Sequence, residues 1–286
     1  MTMSVRQFWI QLRRNRLAFA GAVILVTVTT VAILAPLLVA GDPNAMNVRM
    51  RNLPPSATHW FGTDALGRDL FLRVVYGSQI SLAVSTAVAL LCLVVGTFLG
   101  VVAGYFGGWI DNVLSRIMDS LMAFPSILLA LGVMASLGAS LENVVIALSL
   151  VYAPRVARVA RAPVISERSR EYVQAAASLG ASHGRILFRH ILPNVMSPVI
   201  VQATVVFAYA MVAEATLGFL GLGVPPPDPT WGNLLSDGRR FLMTHPLQTI
   251  FPAVALGVTV LGINIFGDGL RDMLDPRMRG AAGRSR

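Results

Sequence analysis

The chain contains no lysine: all of its 23 basic residues are arginine. A Walker-type phosphate loop needs Gly-Lys-Ser or Gly-Lys-Thr, so this chain cannot build one. Cysteine is nearly absent too. Cys92 stands alone in an apolar run, which excludes an intrachain disulfide and a multi-cysteine metal site. The four histidines, His59, His183, His190 and His245, lie in separate segments, and no HExxH motif or nucleophile elbow occurs. No enzyme signature is therefore present. Charge is also scarce, at 13% of residues against about 25% in soluble domains. Hydrophobic residues make up 55%, and the mean hydropathy is +0.67.

What is present instead is a series of long uncharged windows. They run over Leu17–Ala40, Val74–Ile110, Ser120–Leu141, Asn143–Pro154, Ile191–Ala213 and Phe241–Gly267. A spanning helix needs about 20 mostly apolar residues. The fourth window reaches that length only by extending into Arg155, whose head would snorkel to the interface. The Val74 end of the 37-residue second window has an interfacial character, and Pro246 marks the start of the sixth. The expectation is an all-α polytopic membrane protein with six transmembrane helices. The first apolar run is longer than a signal-peptide core and reads as a retained span. Linkers are short and no internal repeat appears.

Arginine placement sets the expected orientation. With the N-terminus in the cytoplasm, Arg6, Arg13, Arg14, Arg16, Arg116, Arg155, Arg158, Arg161, Arg168, Arg170, Arg185, Arg189, Arg271, Arg277, Arg279, Arg284 and Arg286 fall inside. Only Arg49, Arg51, Arg68, Arg73, Arg239 and Arg240 fall outside. Both termini are then cytoplasmic by the positive-inside rule. The organisation that follows is a cytoplasmic segment 1–16, a first span 17–40, an external loop 41–77, a core of five spans 78–271 holding a cytoplasmic loop 164–193, and a tail 272–286. Because the arginines flank spans rather than form one stripe, a nucleic-acid partner is disfavoured.

The loop contains EYVQAAASLGASHGRILFRHILPN, Glu171 to Asn194. Tyr172, Ala175, Ala176 and Leu179 recur at helical spacing and predict one apolar face. Ser166 is placed to cap the helix and Gly180 to end it in the left-handed conformation. Ser182 would cap another short helix, and Pro193 suits the first turn of the next span. The expected product is a bent pair of helices whose small residues permit close approach. On the residues alone, an amphipathic loop lying on lipid is the alternative.

This segment resembles the EAA loop of ABC importer permeases. Gln174, Ala175, Ala176, Gly180, Leu192 and Pro193 stand at the positions of that pattern. Gln174 replaces its Glu and His190 stands at its Ile, while HILPN is similar to the peptide and nickel importer subfamily. Three more stretches resemble the C-type subunits of dipeptide and oligopeptide permeases. They are FGTDALGRDLFLRVVYGSQIS from Phe61, EATLGFLGLGVPPPDPTWG from Glu214, and GDGLRDMLDPR from Gly267. Asp64, Gly67, Arg68 and Asp69 form the polar core of the first, which composition alone would make a charged turn.

The resemblance implies a type I ABC importer permease fold of the MetI kind and import of dipeptides or short oligopeptides. It implies that Glu171, Gln174, Ala175, Ala176, Gly180, His190, Leu192 and Pro193 couple the spans to a cytoplasmic ATPase. It also implies a second, B-type permease subunit, one or two ATPase subunits carrying ATP and Mg, and an external substrate-binding protein. No cofactor is expected on this chain. Nickel or haem import by the same family, or a gradient-driven secondary carrier, are the alternatives.

Three features stay open at this stage. Gly96, Gly100 and Gly104, followed by Gly108, suit close helix packing, or else a hinge or pore lining. Glu214, placed near the outer interface, suits structural pairing or substrate contact. Asn264 suits helix–helix hydrogen bonding or the translocation path. Pro125 and Pro198 should kink their helices.

Overall fold

The computed structural model describes residues 5–274, and no strand occurs among them. The segments 1–4 and 275–286 lie outside the described residues, including Arg277, Arg279, Arg284 and Arg286. Among the described residues eleven α-helices follow in order: α1 (Val5–Arg14), α2 (Arg16–Leu38), α3 (Leu70–Phe106), α4 (Gly108–Ala123), α5 (Ser126–Leu137), α6 (Leu141–Arg168), α7 (Glu171–Ser178), α8 (His183–Arg185), α9 (Leu192–Phe219), α10 (Trp231–Arg239) and α11 (Leu247–Leu274). By length and composition α2, α3, α6, α9 with its preceding turn, and α11 are long and apolar enough to cross a membrane.

The third expected span is not one straight helix. The window Ser120–Leu141 holds the end of α4 and all of α5, which meet at an angle of 94° where Phe124 and Pro125 interrupt the helix, the geometry of a broken span or a re-entrant loop. Proline has no N–H to continue the ladder, and it drives the residue before it into extended backbone; Phe124 sits at φ −83°, ψ 142°. Counting the pair as one broken span gives six. The fourth window extends well past Pro154, as α6 runs 28 residues to Arg168. Ser166 therefore lies in the last turn of α6 and caps nothing.

The other short helix of the loop is not separate either. From α8 the chain passes through a π-helical turn (Ile186–Ile191) directly into α9. Pro193 explains the turn. Its missing N–H leaves Arg189 without a helical donor, and its ring would crowd that carbonyl. The wider turn avoids the clash, with Leu192 N–H donating to the Leu187 carbonyl.

The core lies where α3, α5, α6 and α9 meet, around Val84, Val88, Met134, Leu148, Val156 and Val206. The glycine stripe of α3 is what allows this. A Cβ on Gly96 would lie 2.6 Å from Val156 Cβ and 2.7 Å from the Ala153 carbonyl oxygen. One on Gly100 would lie 2.8 Å from Ala160 Cβ and closer still to the Ala157 carbonyl. The stripe thus packs α3 on α6 inside this chain. Gly108, at the start of α4, meets nothing within 4 Å and is not part of the contact. Gly100→Val should cost about 3 kcal/mol or more, since the clash falls on backbone that cannot rotate away. Thermal unfolding in detergent checks it, with the exposed Gly257→Val as control.

Candidate functional site

The loop between α6 and α9 is a small knob with its own core. Val173 of α7, Ile186 and Ile191 of the π turn, and Val195 of α9 close over Val164 of α6 and Tyr105 at the end of α3. Tyr105 Oη also meets His183 Nδ1 at 2.8 Å. A polar clasp closes the other side. Tyr172 Oη donates to Glu167 Oε2 at 2.5 Å and accepts from Asn194 Nδ2 at 3.0 Å, while Asn194 donates as well to the His190 carbonyl at 2.8 Å. Arg170 pairs with the other Glu167 oxygen at 3.0 Å. Burial, together with the Glu167 carboxylate it donates to, holds the Tyr172 phenol above its ordinary range, so it remains the donor in this clasp.

α7 ends as its sequence predicts. Gly180 adopts φ +79°. Its N–H donates to the Ala177 carbonyl, and the Ala181 N–H to the Ala176 carbonyl, both at 3.0 Å. These two bonds make a complete Schellman cap. Ser182 caps the following turn, its Oγ accepting from Arg185 N–H at 3.4 Å.

α7 presents its small residues outward. Its single buried residue is Val173, whereas Ala175 and Leu179 face outward and Leu179 is 88% exposed; Tyr172 is part-exposed and turns its hydroxyl into the clasp. The end of the periodic face at Ala175 and Leu179 is open to the outside, while its Tyr172 end is fastened to the knob. Beside it Glu171 and Gln174 are exposed, Ala176 is half-buried, and Gln174 Nε2 donates to the Ser169 carbonyl at 3.2 Å. Leu192 and His190 are half-buried and Pro193 is exposed. The structure thus brings Glu171, Gln174, Ala175, Ala176 and Gly180 together on one two-turn helix, with His190, Leu192 and Pro193 at its root.

A further polar device fixes α4 beneath the bundle. Arg161 holds Asp111 through two bonds of 2.6 Å, and Arg158 reaches Asp119 at 2.5 Å. Tyr105, Glu167, Asp111 and Asp119 carry no motif that marks them in the sequence, whereas Asn194 closes the HILPN stretch. Only the placement of arginines at 158 and 161, one turn apart, hints at a partner helix.

At the opposite end of α3, about 54 Å away by helix rise, the Asp64 motif is buried rather than a surface turn. Asp64 Oδ1 accepts from Leu66 and Arg68 N–H at 2.8 and 2.9 Å, and Oδ2 from Arg68 Nε at 2.6 Å. Arg68 reaches Asp237 of α10 at 3.3 Å, and Arg73 lies 3.7 Å from Asp64. Asp69 caps α3 by accepting from Leu72 N–H, and its other oxygen meets His59 at 2.7 Å. Gly67 turns at φ +73°, where a Cβ would fall on the Asn47 carbonyl.

Glu214 is fully buried, accepting from Ser81 Oγ at 3.1 Å, and Ser81 in turn accepts from Trp231 N–H at 3.2 Å. It ties α9 to α3 and to the start of α10. Asn264 is exposed on α11 with no hydrogen-bond partner among the described residues, so it does not join helices there.

A polytopic helical bundle with a capped, self-cored knob at one end has the build of a transport permease. The family described as binding-protein-dependent transport system inner membrane component matches residues 96–280, and the N-terminal TM domain of oligopeptide transport permease C matches residues 5–55. The dipeptide transport system permease protein DppC of Alkalihalophilus pseudofirmus is 48% identical over 96% of this chain and 90% of its own length. The oligopeptide transport system permease protein OppC of Bacillus subtilis is 40% identical over 94% of this chain and 88% of its own. Among solved structures, the inward-facing MetNI methionine ABC transporter is similar in fold, with TM-score 0.59 and 19% identity over 72% of this chain and 98% of that one. The chain belongs to this family of ABC importer permeases, in the branch of the dipeptide and oligopeptide C-type subunits.

Proposed function

We propose that the chain is a transmembrane permease subunit importing dipeptides or short oligopeptides, driven by ATP hydrolysis on a partner ATPase. The observation that carries the coupling role is the outward apolar face of α7 on a rigidly rooted knob. An exposed Leu179 beside small residues is suited to a groove in another protein, and the clasp at Tyr172 would pass a push on α7 directly to α6 and α9. Both termini are assigned to the cytoplasm by the arginine bias, which puts the knob there and the Asp64 motif outside. ATP and Mg then belong to one or two cytoplasmic ATPase subunits, a B-type permease completes the path, and an external binding protein delivers cargo. Alternating access follows as rigid-body movement driven through α7.

The names of the full-length relatives, both peptide systems, favour peptide over nickel or haem. Co-purification of the tagged chain from its native membrane should recover an ATPase, a second permease and a binding protein. Deletion of the gene should abolish growth on dipeptides as sole amino-acid source. Recovery of the chain alone in mild detergent, or unchanged growth, would overturn the assignment.

A further inference from the structure

Arg155 is not at the end of its helix. It lies 14 residues into the 28-residue α6, about 21 Å from one end and 20 Å from the other. Arg158 and Arg161 follow it on the same helix, but each of those has an acid of α4 for a partner. A cation in a spanning helix is costly where lipid surrounds it, and it marks a functional site unless it is paired. None of the ion pairs among the described residues involves Arg155.

The side chain is nevertheless held in place. Its Nη2 donates to Ser126 Oγ at 2.8 Å, at the start of α5. Its guanidinium carbon lies 5.1 Å from the centre of the Tyr152 ring and 5.3 Å from that of Tyr209. Those contacts orient a cation through ring faces and a neutral hydroxyl, and they leave most of its five N–H donors free. Arg155 is half-buried and Tyr209 is 48% exposed, so the head is reachable from outside the chain.

A groove begins one helical turn further along. It has a volume of about 420 Å³ and is lined by Val159 of α6, by Ser197, Gln202 and Val205 of α9, and by Arg271 of α11. Val159 follows Arg155 by one turn and Val205 precedes Tyr209 by one. The volume falls in the range of about 300–1,000 Å³ usual for small-molecule sites, and the lining mixes apolar walls with amide and hydroxyl groups.

We propose that Arg155 is the contact in the translocation path for the cargo's carboxylate. The inference rests on the reading of this chain as a peptide importer. Every unmodified peptide carries a terminal carboxylate at neutral pH, and a planar guanidinium with paired free donors is matched to it. The tyrosine faces and Ser126 keep the head aimed while no acid among the described residues pairs with it. The carboxylate pauses at Arg155 and the rest of the peptide lies in the groove.

The test uses the full complex in proteoliposomes, with binding protein and ATP. Uptake of alanyl-alanine is compared with that of its C-terminal amide, each above its measured Kd for the binding protein. Wild type should move the free acid with a maximal rate about tenfold above the amide, as expected for losing a hydrogen bond between charged groups. Arg155→Gln should remove that preference by slowing the acid alone, with KM unchanged, and Arg155→Lys, which keeps the charge but not the planar fork, should keep only part of it. If Arg155 only braces α5, or pairs with an acid of the second permease, Arg155→Gln slows acid and amide equally and the preference survives, which overturns the proposal. No uptake of alanyl-alanine by wild type would overturn the peptide reading and this inference together.

Discussion

Gly180→Val is expected to reduce ATP-driven uptake at least tenfold while the protein still reaches the membrane and assembles. The cause is conformational and local. Gly180 sits at φ +79°, and a Cβ there would meet nothing within 4 Å, so crowding plays no part. An L-residue in this conformation costs about 1–2 kcal/mol, and a β-branched one more. Escaping that cost means giving up the Schellman cap, whose two bonds hold Ala176 and Ala177 in helical register. α7 has only eight residues and one buried anchor, so a lost cap re-aims the whole outward face. Asparagine tolerates the left-handed region, so Gly180→Asn should keep at least half the uptake. Uptake and ATPase rate measured together in proteoliposomes decide the matter. A Val variant with wild-type values of both would show that α7 does not couple. Loss in Asn and Val alike would trace the effect to the surface of Gly180 rather than its backbone.

The contrast between what the sequence reveals and what it hides has physical causes. Helix length and position are legible because apolar windows in a membrane protein are long and charges cluster at their ends. The broken span is only half legible. Pro125 signals a kink, but whether a helix bends slightly or by 94° depends on what its two halves pack against. α4 packs through Asp111 and Asp119 on arginines some 40 to 50 positions away, and such pairings leave no local trace. The glycine stripe announces a close contact, and α6 proves to be the partner.

The periodicity of α7 leaves one thing open. Periodicity gives a face but not which way it turns. In a soluble domain the apolar face points inward; in a helix made to enter another protein it points outward. Arg155 is expected at an interface because the uncharged window before it ends at Pro154. The helix continues through both Pro154 and Pro163, so the charge ends up at its middle. The Asp64 motif shows its residues but not its burial, because Asp237 lies 169 positions from Arg68.

Asp64→Ala should be the most destabilising substitution in the loop before α3. Asp64 is a buried carboxylate facing two buried arginines, Arg68 at 6% and Arg73 at 2% exposure. Its removal leaves Arg68 with Asp237, which is 55% exposed, and Arg73 with the neutral acceptors of Pro43 and Asn44, and it also strips acceptors from the Leu66 and Arg68 N–H groups. Breaking a buried pair from one side costs about 3–5 kcal/mol. In a chain of this size that corresponds to a midpoint about 10 °C lower in detergent. Asp64→Asn preserves the shape but not the charge and should lose most of the same amount. Asp64→Leu combined with Arg68→Met removes both partners of the closest pair and should recover part of the loss, since replacing a whole buried pair by apolar groups is often neutral. A shift under about 2 °C for Asp64→Ala would correspond to less than about 1 kcal/mol; water would then reach the arginines, and the motif would be a surface turn after all. The expected result makes it the clamp joining α3, α10 and the preceding loop. Uptake in Asp64→Ala should then fall only in proportion to the folded protein, a pattern distinct from Gly180→Val, where the protein is present and transport is not.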